Sequence, residues 1–214
     1  MTTKTLNISE EQLVDYSKAH NEPSWMTELR KKALKLTETL EMPKPDKTKL
    51  RKWDFDTFKQ HHTTGDSYHQ LTDLPKSVKE IIDVENSENL IIQHNNDLAY
   101  TQVSDQAKND GVIIEGLSEA LVNHSDLVQK YFMTKAVNVD EHRLTALHTA
   151  LVNGGIFVYV PKNTVVEHPI QYVVLHDDEQ ASFYNHVIIV TEESAEVTYV
   201  ENYLSTTSGE DNQL

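Results

Sequence analysis

Apolar residues recur at helical spacing in the first part of the chain and gather into β-type runs toward its end. At Ser9-Glu10-Glu11-Gln12 a serine stands three residues before a glutamine, the pattern of a reciprocal cap at a helix start. Leu13 and Tyr16, with Val14, then form a short apolar stripe. Pro23-Ser24 opens a second predicted helix. Trp25, Leu29, Ala33, Leu36 and Leu40 follow three or four residues apart and so share one face. Met42-Pro43-Lys44-Pro45 ends that helix, because proline lacks an amide donor and restricts the residue before it. In Lys52-Trp53-Asp54-Phe55-Asp56-Thr57-Phe58 the aromatic rings are expected to pin a loop onto a core. His61, His62 and His69 fall in a polar loop. Leu74-Pro75-Lys76-Ser77 then leads into a short helix carrying Val78, Ile81 and Ile82.

Near Asn89 the period changes. Residues 90–94 and 98–103 read as two strands joined by the turn Asn95-Asn96-Asp97, and residues 111–115 as a third. Residues 117–131 read as helix again. Residues 144–151, with Ala146, Leu147 and Ala150, form a further helix that Asn153-Gly154-Gly155 is expected to stop. From there the pattern is all strand: residues 156–160, 170–175, 184–190 and 196–203, rich in β-branched and aromatic side chains and separated by polar turns. Repeated short strands fit a sandwich, a barrel or a solenoid. These runs do not alternate cleanly, which favours burial on more than one face.

The 214 residues suffice for one large domain or two small ones. No apolar run reaches the roughly 18 residues of a membrane-spanning helix, and the start lacks a signal-peptide core, so the expected location is the cytoplasm. Cysteine is absent, which excludes disulfides and thiolate chemistry from these residues. The net charge of −15 repels nucleic acid and anionic lipid at long range. It is unevenly placed. Residues 30–52 hold nine Lys and Arg against three acids, and no Lys or Arg follows Lys162. The basic segment reads as a solvated helix face and loop, with a docking patch for an acidic partner as the alternative.

The chain contains no phosphate loop, no dinucleotide-binding glycine fingerprint and no nucleophile elbow. His61 and His62 are adjacent and point apart, and His142 and His148 fall on different helix faces, so neither makes a metal pair. Glu167-His168-Pro169 places a carboxylate beside an imidazole in a turn, with no nucleophile nearby. The acids at Asp177-Asp178-Glu179 and Glu192-Glu193 read as solvated turn residues, without the spacing of a calcium loop. No catalytic, cofactor-binding or metal-ligating residue is assigned.

One longer pattern is more specific. Asp140-Glu141-His142-Arg143-Leu144-Thr145-Ala146-Leu147-His148-Thr149-Ala150-Leu151 leads through Val152-Asn153-Gly154-Gly155 to Ile156-Phe157-Val158-Tyr159-Val160-Pro161-Lys162, then to Val166-Glu167-His168-Pro169-Ile170. Asn185-His186-Val187-Ile188-Ile189-Val190-Thr191-Glu192 and Tyr199-Val200-Glu201-Asn202-Tyr203-Leu204-Ser205 follow. This order resembles the SufB/SufD family of iron–sulfur cluster assembly scaffolds. Trp25-Met26-Thr27-Glu28-Leu29-Arg30-Lys31-Lys32-Ala33 and the proline–basic–tryptophan element from Pro43 to Phe55 are similar to its SufD branch.

The resemblance implies an α+β chain: a helical N-terminal domain, then the start of a right-handed parallel β-helix. The expected division is 1–85 helical, 86–153 mixed strand and helix, 154–205 β-helix strands, and 206–214 a disordered tail. Family members are about twice as long, so the chain is expected to be a truncated piece that self-associates through its cut β-helix end. The resemblance further implies a non-catalytic scaffold with SufB-like and SufC-like partners, the cluster built on the complex and ATP bound by the SufC-like partner. No cofactor is expected on these residues. A SufB-like piece and a β-helix carbohydrate-active enzyme are the competing readings. The latter requires acidic or basic side chains clustered on one coil face, and usually an export signal.

Overall fold

The computed structural model describes residues 6–50, 53–55, 57, 59, 61–84 and 87–205. They form two compact units. One comprises the described residues of Met1–His61 and Ala120–Val152, the other those of His62–Glu119 and Asn153–Leu214.

The first unit is helical. α1, Glu10–Ala19, starts at the cap the sequence predicts: Gln12 N–H donates to Ser9 Oγ (3.2 Å) and Ser9 N–H to Gln12 Oε1 (2.8 Å). Asn21, at φ 52°, turns the chain into α2, Ser24–Thr39. The buried line of α2 is Met26, Arg30, Ala33 and Thr37, rotated from the predicted stripe, whose members other than Ala33 are only partly buried. The rotation is tolerable because both polar members are satisfied: Thr37 Oγ1 donates to Leu34 O (2.6 Å), and Arg30 is paired as described below. α6, Ser125–Tyr131, and α7, Arg143–Leu151, complete the unit. α5, Leu117–Asn123, is separated from α6 by His124, so the predicted helix 117–131 is two short ones. The expected core anchor Trp53 is 65% exposed, while Lys52, Asp56 and Phe58 lie outside the described residues.

The second unit is built on two sheets. Its strands are β1, Asn89–His94; β2, Asp97–Gln102; β3, Ile113–Gly116; β4, Gly154–Val160; β5, Ile170–His176; β6, Asn185–Thr191; and β7, Tyr199–Ser205. One sheet has the order β2-β1-β5-β7 and the other β3-β4-β6. β2 on β1 and β3 on β4 are antiparallel, whereas β1/β5, β5/β7 and β4/β6 are parallel. Partners across the later parallel pairs lie at nearly constant separation: Gly154 with Asn185, Val165 with Glu196, Ile170 with Tyr199.

Ile91, Ile170, Tyr172 and Val174 from the first sheet meet Ile114, Ile156, Val158 and Val160 from the second in one core. The alternate side chains of β1 and β5, Leu90, Ile92, Val173 and Leu175, pack on Leu74, Val78 and Ile82. Val78 lies on α3, Lys76–Lys79. Burial on both faces explains why these strands read as continuous apolar runs. α4, Asp105–Asn109, is capped by Ser104 and seats Ala107 in the inter-sheet core. Gly154 and Gly155 do not stop a helix. α7 closes at Val152, and the two glycines open β4.

Candidate functional site at the outer strands of the stack

β6 and β7 are each outermost in their sheets, so each keeps one backbone edge without a strand partner among the described residues. Such an edge accepts a further strand. The surface beside it is partly apolar, since Ile189, Val200 and Tyr203 are exposed. It is also acidic, with Glu192, Glu193, Glu196 and Glu201 on or beside these strands. Lys162 pairs with Glu193, and Tyr159 O–H donates to Glu192 Oε1 (3.2 Å).

Behind this edge runs a polar network inside the apolar core. Gln93 Oε1 accepts from Gly155 N–H (2.9 Å) and from Tyr172 O–H (2.7 Å), and Gln93 Nε2 donates to Asn95 O (2.8 Å). Tyr172 Oη also lies 2.9 Å from Asn185 Oδ1, and Asn185 Nδ2 donates to Tyr203 Oη (2.6 Å). Three strands of one sheet, β1, β5 and β7, are thereby tied to β4 and β6 of the other through side chains. Burial pushes the Tyr172 hydroxyl well above its ordinary pKa, helped by Tyr203 and Glu201. Tyr203 is pushed up to about 12, first by burial and then by its hydrogen bond with Glu201. These hydroxyls therefore remain donors at neutral pH. They brace the strands and offer no acid–base chemistry there.

A second polar knot joins the β1–β2 turn to the end of β5. Asp66 N–H donates to His94 Nδ1 (2.8 Å), which leaves the ring proton on Nε2 to meet Asp177 Oδ1 (2.9 Å). Asn95 donates to the same carboxylate oxygen (3.1 Å), and Asn95 Oδ1 accepts from the amides of Asp177 (3.1 Å) and Asp178 (3.3 Å). Asp177 is thus a structural acceptor and not a freely solvated turn residue.

On β6, burial pushes His186 down from 6.5 to about 4. A depressed histidine pKa means that the unfolded chain takes up the proton first. The associated stability is complete above about pH 6.5 and is lost as pH falls toward 4, at most about 2 kcal/mol after allowance for partial exposure. Urea midpoints measured for the parent and His186→Gln across that window should show a smaller acid loss in the variant. Equal losses would remove His186 as the cause.

The residues singled out from sequence are not brought into a catalytic arrangement. The His61 ring lies against Tyr16 (4.5 Å between centroids), while His62 Nε2 faces Asp97 Oδ1 (3.4 Å). His142 caps α7, accepting from Thr145 N–H at Nδ1 (3.2 Å). Glu167 is exposed, and His168 contributes its carbonyl to Asn89 Nδ2 (3.0 Å). Among the described residues, no three His, Asp or Glu side chains are placed to hold a metal ion. Gln93, Tyr172 and Asn185 were missed from sequence. Their signal was two amides and a tyrosine embedded in apolar strand runs.

Known proteins are similar to this sequence. The iron–sulfur cluster assembly protein SufD of Bacillus subtilis is 47% identical over 207 residues, which cover 96% of this chain and 47% of that protein. A SufBD family protein of iron–sulfur cluster assembly from Pyrococcus horikoshii is 29% identical over 205 residues, and one from Staphylococcus epidermidis 27% over 203. In both cases the match covers 91% of this chain, but 45% and 43% of the respective relative. The chain thus spans about half the length of the curated relatives it matches. With residues 9–172 matching the family described as the SufBD protein N-terminal region, the chain belongs to the SufBD family.

Proposed function

We propose that this chain is the N-terminal portion of a SufD-like scaffold subunit of iron–sulfur cluster assembly, non-catalytic and cytoplasmic. The observation that carries this reading is the 47% identity to SufD of Bacillus subtilis over nearly the whole chain. On it, the longer protein joins SufB-like and SufC-like partners, with ATP bound by the latter and the cluster as the cargo of the complex. The sequence has no cysteine, so thiolate ligation of that cargo falls to a partner or to residues elsewhere. Among the described residues no helix is long and apolar enough to cross a membrane.

We read β4–β5 and β6–β7 as successive coils of a right-handed parallel β-helix. Its support is the repeated register of β4 with β6 and β5 with β7, continued through the turns. There Asn163 N–H donates to Glu193 O (3.0 Å) and Val166 N–H to Glu196 O (2.9 Å). In such a stack each coil covers the one before it, and the first coil needs a cap. The antiparallel strands β2 and β3, at the opposite edges of the two sheets, fill that role. The unpaired edges of β6 and β7 then receive the next coil, or in this chain alone a second copy.

Co-purification tests the assignment. A chain of the relatives' full length, mixed with SufB-like and SufC-like proteins, is expected to give a ternary complex, while the 214-residue chain alone fails to retain the SufC-like ATPase. A full-length chain that binds neither partner would sink the scaffold reading.

A further inference from the structure

Two of the three lysines of α2, Lys31 and Lys35, are paired within the chain. Lys31 Nζ meets Glu28 (3.0 Å) and Glu10 (3.5 Å), and Lys35 Nζ meets Glu10 (3.3 Å). Past the helix the balance changes. Lys44 pairs with Glu41 (2.7 Å), but Lys47 and Lys49 are exposed and have no ion pair or hydrogen bond among the described residues. A few residues on, Trp53 is 65% exposed, with its ring stacked on Phe55 at 6.1 Å and the planes within 7°.

This ring pair is held in place by its own turn. Trp53 N–H donates to Leu50 O (2.9 Å), and the Asp54 carboxylate accepts from Thr57 N–H (3.1 Å) and Thr57 O–H (2.8 Å). Asp54, the acid beside the indole, is therefore engaged locally. A large indole kept in water forgoes the burial that its apolar area makes available. A pre-ordered indole beside unpaired cations has the composition of a binding hot spot, where tryptophan supplies buried area and little ordering entropy remains to be lost.

We propose that Lys47, Lys49, Trp53 and Phe55 form a docking element for an acidic protein surface that carries an apolar pocket. Trp53 fills the pocket and the two ammonium groups face carboxylates at its rim. Charge complementarity selects this occupant over nucleic acid. The chain carries −15 overall, Asp46 and Asp54 sit within the element, and Trp53 stacks on Phe55 and so gives up one face to it. This site is independent of the cluster-assembly reading, and its test does not use SufB-like or SufC-like proteins.

The chain has two tryptophans, so incorporation of 5-fluorotryptophan gives two fluorine resonances. Trp25 is engaged by a hydrogen bond to Ser125 Oγ (2.9 Å) and serves as the internal control. A random copolymer of glutamate and tyrosine, added at low salt, should shift the Trp53 resonance and leave that of Trp25 in place. Lys47→Glu with Lys49→Glu should weaken this binding about tenfold or more, as should high salt. Trp53→Ala should weaken it about tenfold for the copolymer and much less for polyglutamate, which offers the indole no apolar side chain to contact. An unmoved Trp53 resonance, or tighter binding of oligo(dT) than of the copolymer, would overturn the proposal.

Discussion

Arg30→Ala is expected to cost the chain about 3–5 kcal/mol of stability. The Arg30 side chain is 2% exposed and that of its partner Glu22 is 4% exposed. The guanidinium forks onto the carboxylate, Nε to Oε2 at 2.8 Å and Nη2 to Oε1 at 2.6 Å, and Ser17 Oγ donates to the same carboxylate at 2.7 Å. Its other donors reach Ala150 O (2.9 Å) and Val152 O (2.8 Å), the carbonyls at the end of α7, where a helix presents its negative pole. The Tyr16 ring lies 5.0 Å from the guanidinium carbon. Alanine would leave a buried carboxylate and two helix-end carbonyls without their cation. Arg30→Lys should recover little, because an ammonium cannot make the planar fork. Glu22→Leu combined with Arg30→Met should recover part of the loss, since both charges then leave together. Urea unfolding of the single and double variants gives the coupling energy directly. A cost below about 1 kcal/mol for Arg30→Ala would mean that the pair is solvated and does not brace the unit.

A second arginine completes the arrangement. Arg143, at the start of α7, donates through Nε to Thr37 O (2.9 Å) near the end of α2, and its amide donates to Glu41 O (2.9 Å). Each helix thus supplies an arginine to the C-terminal carbonyls of its antiparallel neighbour. None of this was legible in the sequence. There Arg30 was one of nine cations in a basic run, and composition cannot distinguish a buried cation from a solvated one. The carbonyls it reaches, Ala150 and Val152 at the end of α7, lie more than a hundred residues away, which no local pattern reports.

What the sequence did carry was local. The Ser9–Gln12 cap, the helix break at the prolines and the four late strands depend on residues within one element, and the structure has them close to where the periodicity places them. The pairing of β1 with β5 joins residues some eighty positions apart and has no local signal. Trp53 was misread because aromatic residues are usually buried, and the turn that holds it outward depends on Asp54 and Thr57 rather than on hydrophobic pattern. In the polar network, Gln93 and Asn185 each stood out as an amide among strand residues. Only the fold shows that both converge on Tyr172.

The glycines before β4 show the same ambiguity and carry the second large effect. A glycine after a helix signals either a helix stop or a strand position that excludes a side chain. Here it is the second. Gly155 has φ 136° and faces His186 across the parallel β4–β6 pair, where an added Cβ would stand 2.0 Å from His186 O. Gly155→Ala must therefore both adopt a backbone conformation that side chains avoid and push two strands apart. The Gly155 N–H bond to Gln93 would be strained as well. Strain of about 1–3 kcal/mol and one or two ladder bonds at about 1 kcal/mol each give an expected loss of about 2–5 kcal/mol. Gly154→Ala is the milder case, because its Cβ would meet the side chains of Gln93 and Phe183 and no backbone atom, although Gln93 would have to give up part of its hydrogen bonding. Gly111→Ala, at φ 72° with only Pro161 nearby at 3.7 Å, should cost about 1 kcal/mol. Hydrogen exchange separates a local from a general effect: in Gly155→Ala the amides of β6 should lose protection while those of α1 and α2 keep theirs. In a chain of the relatives' length the same substitution should weaken whatever binds beyond β6 and β7, since both strands are aligned through this crossing. Retained stability and unchanged β6 protection would show that β4 and β6 can separate without cost, and the reading of these strands as a rigid stack would then fail.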